Sequence, residues 1–383
     1  MNTKDTTLNN NHYSKVPLDG NRACELSAAN LGGSFSFPCG GGWEGASLVI
    51  LDADTLGTTV NLDRFSDFGA LRIFPQTAKH ERLAHIGNAQ IIITNKVIID
   101  KEIIDACEQL QLVCLTATGM NNVDVEYAKC KGIAVKNVAG YSTHSVAQHT
   151  FAMLLSLMHH IEYYSNYVAS KTYSQQNLFT HIQHGYPELC GKTWGIIGLG
   201  AIGRAVAKIA EAFGCKVCYY STSGKNATSD YEQKSLNDLL SLSDIVSIHA
   251  PLNEQTQGLI GAKELQQMKS SAYLINVGRG GIVNESDLAQ ALRTGKIAGA
   301  CLDVMQQEPL PENSPLLADD LREKLLITPH IAWISNEALE TLMNRVYEYI
   351  VEFKNSKISA EYPTIDIQAK GFPADWENEP NRR

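Results

Sequence analysis

Apolar residues along this chain fall into short runs, each closed by turn-forming residues. From Ala46 the stretch ASLVILDAD is rich in β-branched residues and leucine and ends on aspartate, the pattern of a buried parallel strand. ALRIFP, AQIIIT, LQLVCLTA and GIAVKNV repeat it, with the helix-patterned KEIIDACEQL and VDVEYAKCKG between them. Such alternation predicts a parallel sheet with helices on its faces. STHSVAQHTFAMLLSLMHHIEYY is apolar at helical spacing and predicts one long helix, capped at Ser142 or Thr143. After an irregular stretch a second alternating series opens with TWGIIGLGAIG and continues through KVCYYS, DIVSIHA, SAYLINV, IAGACLDV and KLLITPH. A final amphipathic helix starts after Ser335, with Leu339, Leu342, Met343, Val346, Ile350 and Phe353 on one side.

The ends differ in character. Residues 1–46 are polar and rich in Gly, Asn and Ser without a sustained period, which predicts a flexible N-terminal extension; residues 363–383, closing on GFPADWENEPNRR, predict a loose tail. The 383 residues allow two domains, and 44% hydrophobic with 19% charged residues describes a soluble globular chain. A net charge of −9 argues against nucleic acid or an anionic membrane surface as partner. No run approaches the roughly eighteen apolar residues of a membrane span. The N-terminus lacks the apolar core of a signal peptide. Nine scattered cysteines fit reduced thiols and predict a cytoplasmic location. Cys215 and Cys218 form a CxxC, but in a strand-like run such side chains face opposite ways, which reads against a redox or metal pair. No cluster has metal-ligand spacing, so no metal is expected.

The second series carries a glycine turn. Gly198, Gly200 and Gly203 stand in G-x-G-x-x-G spacing, after a strand at Trp194–Ile197 and before a helix with Ile202, Val206, Ile209, Ala210 and Phe213 on one face. In that context the spacing predicts a dinucleotide site: the first glycine for the tight turn, the second for close approach of the pyrophosphate, the third for helix–strand packing. The helix N-terminus at Ala201 and Ile202 offers N–H groups to the phosphates. Arg204 reads either as a phosphate contact or as an exposed helix arginine. The fold class is therefore α/β, two Rossmann-like or flavodoxin-like parallel-sheet domains with a cleft between them, where ligands commonly bind. An acid is expected at the end of the next strand to hold the ribose. YYSTSGKN places Ser221, Thr222, Ser223 and Lys225 there instead.

Three further stretches place polar residues just past apolar strands: LINVGRGGIVNE with Arg279, AGACLDVMQQEP with Asp303 and Glu308, and ITPHIAWIS with His330 and Trp333. Together with ATGMNNVD and NVAGYSTHSVAQHT, this set resembles the D-isomer-specific 2-hydroxyacid dehydrogenases over roughly residues 47–360. The resemblance implies a substrate domain of 47–143 plus 335–362 and a cofactor domain of 144–334. It implies Arg279 on the substrate carboxylate, His330 as proton donor and acceptor, and Glu308 beside the imidazole. It places the backbone of Thr118 and Gly119 on the carboxylate and Asp303 near the nicotinamide carboxamide, with a turn or cap role for Asp303 as the other reading. Lys96 in TNKVIID lies on the cleft side and is read as an exposed lysine. HIAW resembles the glycerate dehydrogenase and hydroxypyruvate reductase branch, implying hydroxypyruvate or glyoxylate, with Trp333 favouring a short substrate. The resemblance also implies a homodimer, with the long helix near 144–162 in the contact. Ser221 and its neighbours favour NADP, with use of NAD also open. Corepressors of the same fold and trio leave a dinucleotide-sensing interaction protein as the alternative reading.

Overall fold

A computed structural model describes residues 45–224, 228 and 230–356. The tail expected at 363–383, nearly all of the extension expected at 1–46, and Lys225 lie outside the described residues.

The strands form two parallel sheets. The first comprises β1 (Ala46–Ile50), β2 (Gly69–Ile73), β3 (Ile91–Thr94), β4 (Leu112–Leu115) and β5 (Ala134–Asn137), in the order β2-β1-β3-β4-β5. Every residue of β3 and β4 is buried, because both faces of the sheet are covered. Alternate positions sort cleanly between the faces. Leu48, Ile50, Ile91, Ile93, Leu112 and Cys114 point one way, into a core shared with Leu342, Met343, Val346 and Ile350. Val49, Ile92, Val113 and Leu115 point the other way, against Ile103, Ile104 and Ala128. The helix that covers the first face, Asn336–Ser356, is the last one described, and it buries all six apolar positions expected of it. The chain thus returns from the second sheet to complete the core of the first.

The second sheet comprises β6 (Thr193–Ile197), β7 (Lys216–Tyr220), β8 (Glu232–Gln233), β9 (Ile245–Ile248), β10 (Tyr273–Asn276), β11 (Gly299–Leu302) and β12 (Leu325–Ile327), in the order β12-β11-β10-β9-β6-β7-β8. The direction of winding reverses between β6 and β9. In the first sheet it reverses between β1 and β3. In open α/β sheets, ligand crevices form outside the carboxyl ends of strands at such reversals. Cys215 and Cys218 lie in cores on opposite faces of the second sheet, as their spacing implied.

The long helix is in fact two. It runs from Thr143 to Met158, and a second helix spans Ile161–Ala169. Between them His160 adopts a left-handed conformation, with φ of 52°, which ends the first helix. The first buries seven residues, among them Phe151, Met153 and Leu154; the second buries none. Ser142 occupies the N-cap position without a side-chain capping bond, and Thr143 Oγ1 instead donates to the Gly140 carbonyl at 3.0 Å. In the helix Ala201–Ala212 the buried face is Gly203, Val206, Ala207 and Ala210. Phe213 stands just past its end, 41% exposed and stacked on Phe151 with centroids 5.5 Å apart, rather than inside with the others.

Candidate active site

Each glycine of the turn after β6 answers a different constraint. Gly198 has φ of +93°, and a Cβ there would lie 2.9 Å from the backbone nitrogen of Ala250 after β9. A Cβ on Gly203 would lie 2.3 Å from the Gly198 carbonyl oxygen. A Cβ on Gly200 would meet nothing within 4 Å, so the backbone here borders open space at the sheet's reversal point. Gly200 is also the N-cap of the 12-residue helix and offers no side chain to its first N–H groups. A pyrophosphate fits this combination of clear approach and uncapped donors. At the end of β7, Ser221 Oγ accepts the Gly224 N–H at 3.0 Å, so it serves the local turn and keeps its own O–H to donate. Thr222 is half-buried beside it. Arg204 Nη1 stands 3.9 Å from Asp230 Oδ2, a loose and partly exposed pair.

Arg279 follows β10 on a rigid turn. The buried Asn276 side chain donates to the Arg279 carbonyl at 2.8 Å and accepts the Gly278 N–H at 3.1 Å. A Cβ on Gly280 would sit 1.9 Å from the Met305 carbonyl carbon, so only glycine lets this turn pack on the segment after β11. That segment carries Glu308, whose Oε1 accepts the Met305 N–H at 3.0 Å and whose Oε2 lies 2.7 Å from His330 Nδ1. Burial alone would raise the Glu308 pKa. The His330 hydrogen bond, the Met305 N–H and the charges of His330 and Lys96 outweigh it and hold the carboxyl below its ordinary value. His330 has φ of 57°, a strained conformation for a residue with a Cβ. Its carbonyl accepts the Trp333 indole N–H at 2.9 Å.

Asp303 explains how that strain is held. Its side chain is 1% exposed. It accepts from Thr328 Oγ1 at 2.6 Å, Ile331 N at 2.8 Å and Ala332 N at 2.9 Å, with His149 Nε2 at 3.6 Å. Burial opposes its ionisation, but these donors prevail and lower its pKa. The carboxylate thus lies beneath the turn that presents His330, with two donors on Oδ1 and one on Oδ2, an arrangement that holds the turn and leaves Oδ2 able to accept a further bond.

The first sheet supplies the facing loops. Thr118 Oγ1 donates to the Val138 carbonyl at 3.2 Å, and Asn137 Nδ2 donates to the Thr118 carbonyl at 2.6 Å. A Cβ on Gly119 would come within 3.2 Å of Arg279 Nη2, so the loop after β4 and the turn after β10 meet. Trp333 packs against a core from each sheet and meets Tyr141 edge-on at 6.3 Å. Two side chains that the sequence reading left aside or passed over also belong here. Lys96 retains exposed surface, yet burial, then the Arg279 charge, lowers its pKa, while Glu308 and Asp52 act in the opposite direction. Tyr141 is pushed strongly upward by burial, against a hydrogen bond from Ser142 and the Arg279 charge. Its place four residues past the end of β5, on the carboxyl side of the sheet, was the available signal. Among the described residues, no group of three His, Cys, Asp or Glu could hold a metal ion, and no helix is long and apolar enough to cross a membrane.

Comparison with known proteins agrees with this geometry. Residues 151–332 match the family described as D-isomer specific 2-hydroxyacid dehydrogenase, NAD binding domain. The chain is 37% identical over 280 residues to a hydroxypyruvate reductase of Blautia hydrogenotrophica, covering 72% of this chain and 86% of the relative. It is 34% identical over 311 residues to a glycerate dehydrogenase of Methylorubrum extorquens, covering 81% and 96%. The D-lactate dehydrogenase of Aquifex aeolicus, solved with NAD and lactic acid, superposes with a TM-score of 0.69 at 26% identity over 82% of this chain and 96% of that one. With a glycine turn at one sheet's reversal, an Arg, Glu and His set beside it, and relatives matched over nearly their whole length, the chain belongs to the D-isomer specific 2-hydroxyacid dehydrogenase family of oxidoreductases.

Proposed function

We propose that this protein reduces a short 2-oxo acid, hydroxypyruvate or glyoxylate, to the corresponding D-2-hydroxy acid. The observation that carries the reading is the 2.7 Å pair of His330 and Glu308, set in one site with Arg279 at the ends of neighbouring strands. Arg279 offers a planar cationic fork to the substrate carboxylate and polarises the adjacent carbonyl. The backbone of Thr118 and Gly119 closes on the same carboxylate from the other sheet. When bound, a reduced nicotinamide dinucleotide supplies hydride to the carbonyl carbon. Gly198, Gly200, Ala201, Ile202 and Gly203 hold its pyrophosphate, and Ser221 and Thr222 border its ribose. With Nδ1 committed to Glu308, His330 uses Nε2 to give a proton to the carbonyl oxygen, or to take one from the alcohol in reverse. Glu308 fixes the orientation of the imidazole through Nδ1. Trp333 and Tyr141 narrow the site and favour a two- or three-carbon acid.

In this reading the substrate domain is 47–143 with the returning chain from 335, and 144–334 is the cofactor domain. The Ser221 segment favours NADP over NAD. The protein works as a homodimer, but not chiefly through the helix Thr143–Met158, whose apolar face is spent in the chain's own core. The contact surface lies just beyond, where Leu178, Phe179 and Ile182 are 70%, 89% and 83% exposed. The test is a panel of glyoxylate, hydroxypyruvate and pyruvate with NADPH and NADH, following loss of reduced-cofactor absorbance. Turnover of at least one acid is expected. Tight dinucleotide binding with no turnover of any would replace this reading with the sensing one.

A further inference from the structure

Lys96 stands at the reversal point of the first sheet. Asp52, at the end of β1, accepts from Thr94 Oγ1 at 3.1 Å, from the Asn95 N–H at 2.9 Å and from the Lys96 N–H at 2.7 Å. Asn122 Nδ2 donates to the Asn95 and Val97 carbonyls at 3.3 and 3.0 Å. The backbone under Lys96 is therefore pinned from two sides, so its side chain starts from a fixed root. Asn122 belongs to the same loop as Gly119, where a Cβ would come within 3.2 Å of Arg279 Nη2, so the segment carrying Lys96 borders the loop that meets Arg279, and the charges of Arg279 and Glu308 bear on its ammonium. The ion pairs among the described residues give neither Lys96 nor Arg279 a carboxylate partner within 4 Å. Two cations that repel each other thus share one site, which favours an anionic, oxygen-rich ligand between them.

The donors other than Lys96 already account for part of such a ligand. Arg279 and the Thr118–Gly119 backbone suffice for a carboxylate, and His330 serves the reacting oxygen. The Lys96 ammonium, a second cation with no carboxylate within 4 Å among the described residues, is left over for another acceptor. Pyruvate has only a methyl group to offer, whereas a 3-hydroxy-2-oxo acid has an oxygen on C3. We propose that Lys96 is a specificity-determining residue that takes the C3 oxygen of the substrate and so selects 3-hydroxy-2-oxo acids over their 3-deoxy analogues. The inference rests on the reductase reading above and narrows its substrate class.

A site built to bond a hydroxyl loses affinity for an analogue lacking it, because its own polar group is left unpaired. The experiment compares kcat/KM for hydroxypyruvate, pyruvate and glyoxylate in the unaltered protein and in Lys96→Met and Lys96→Ala, each checked for an unchanged thermal transition. The unaltered protein should prefer hydroxypyruvate to pyruvate by about tenfold or more. Either substitution should reduce that ratio by about tenfold. A ratio that survives both substitutions, whether or not overall activity falls, overturns the assignment. Turnover of glyoxylate with no preference between the two three-carbon acids also overturns it, and leaves the reductase reading standing. Absence of turnover with all three acids overturns both.

Discussion

His330 Nδ1 lies 2.7 Å from Glu308 Oε2, while Glu308 Oε1 is held by the Met305 N–H at 3.0 Å. The carboxylate is thus fixed by the backbone before it meets the imidazole, and its charge bears on one ring nitrogen. Glu308→Gln keeps the shape and removes the charge. The imidazole then keeps a partner at Nδ1 but loses the charge-assisted bond that orients it, so kcat should fall by about tenfold or more. A variant with unchanged kcat, under conditions where chemistry limits the rate, would remove Glu308 from this role. In the unaltered protein the carboxyl's folded pKa lies below its ordinary 4.5. Its contribution to stability is therefore complete above that value and disappears only as pH falls through the lower folded one.

His330→Gln should lower kcat by about a hundredfold or more, the usual scale for loss of a general acid. Dinucleotide affinity, measured by quenching or calorimetry, should change little, because the glycine turn lies after β6 and His330 after β12. An unaltered kcat, under conditions where chemistry limits the rate, would assign the proton to another group.

Asp303→Asn tests whether this buried acid supports His330. The carboxylate accepts from a hydroxyl and from two backbone N–H groups, one on each oxygen. An amide can replace only one of those oxygens as acceptor; its NH2 would face a donor. We expect a loss of about 1–3 kcal/mol in stability and a fall in kcat, since the turn holding His330 at φ of 57° loses its anchor. Because the folded pKa of Asp303 lies below its ordinary 3.8, the stability gap between the two proteins should be constant above that pH and should shrink as pH drops through the folded value. A variant equal in melting temperature and kcat would leave Asp303 free of the turn.

These tests also mark what could be read before the structure. The strands were legible because burial on both faces writes continuous β-branched runs, as in Ile91–Thr94. The terminal helix was legible because all six expected positions share one face. The positions of Arg279, Glu308 and His330 just past apolar strands were legible, while the roles proposed for them came from the family resemblance. The break at His160 was not, since apolar spacing continues through Ile161 and only a backbone angle interrupts it. The duty of Asp303 was only one of two readings, because its partners at 328–332 are supplied by folding. Lys96 was legible as an exposed lysine, and it is exposed, but the charges of Arg279 and Glu308 that bear on it lie almost two hundred positions or more along the chain and are brought near by folding.

The exposed apolar surface beyond the first long helix should mediate self-association. Phe179→Asp places a charge where 89% of an aromatic residue is open to solvent. The unaltered protein should migrate as a dimer in light-scattering chromatography and the variant as a monomer, at matched concentration. A variant that remains fully dimeric would move the contact elsewhere.

Ser221 decides the last question, the choice of cofactor. It ends the strand next to the glycine turn, where an acid would accept bonds from the ribose hydroxyls and repel a 2′-phosphate. Serine removes the repulsion. Its Oγ accepts the Gly224 N–H, so its own hydrogen remains to donate outward. Thr222 and Ser223 add hydroxyls, and Lys225 adds a cation in sequence. Charge-assisted hydrogen bonds contribute about 1.5–3 kcal/mol each, so one such bond to a phosphate gives roughly a tenfold preference. The unaltered protein should therefore use NADPH better than NADH. Ser221→Asp should shift the ratio of kcat/KM towards NADH by about tenfold or more, through restored repulsion, and Lys225→Ala should weaken NADPH alone. A strong existing preference for NADH, together with a Lys225→Ala variant whose KM is unchanged for both cofactors, would show that this segment does not read the 2′ position.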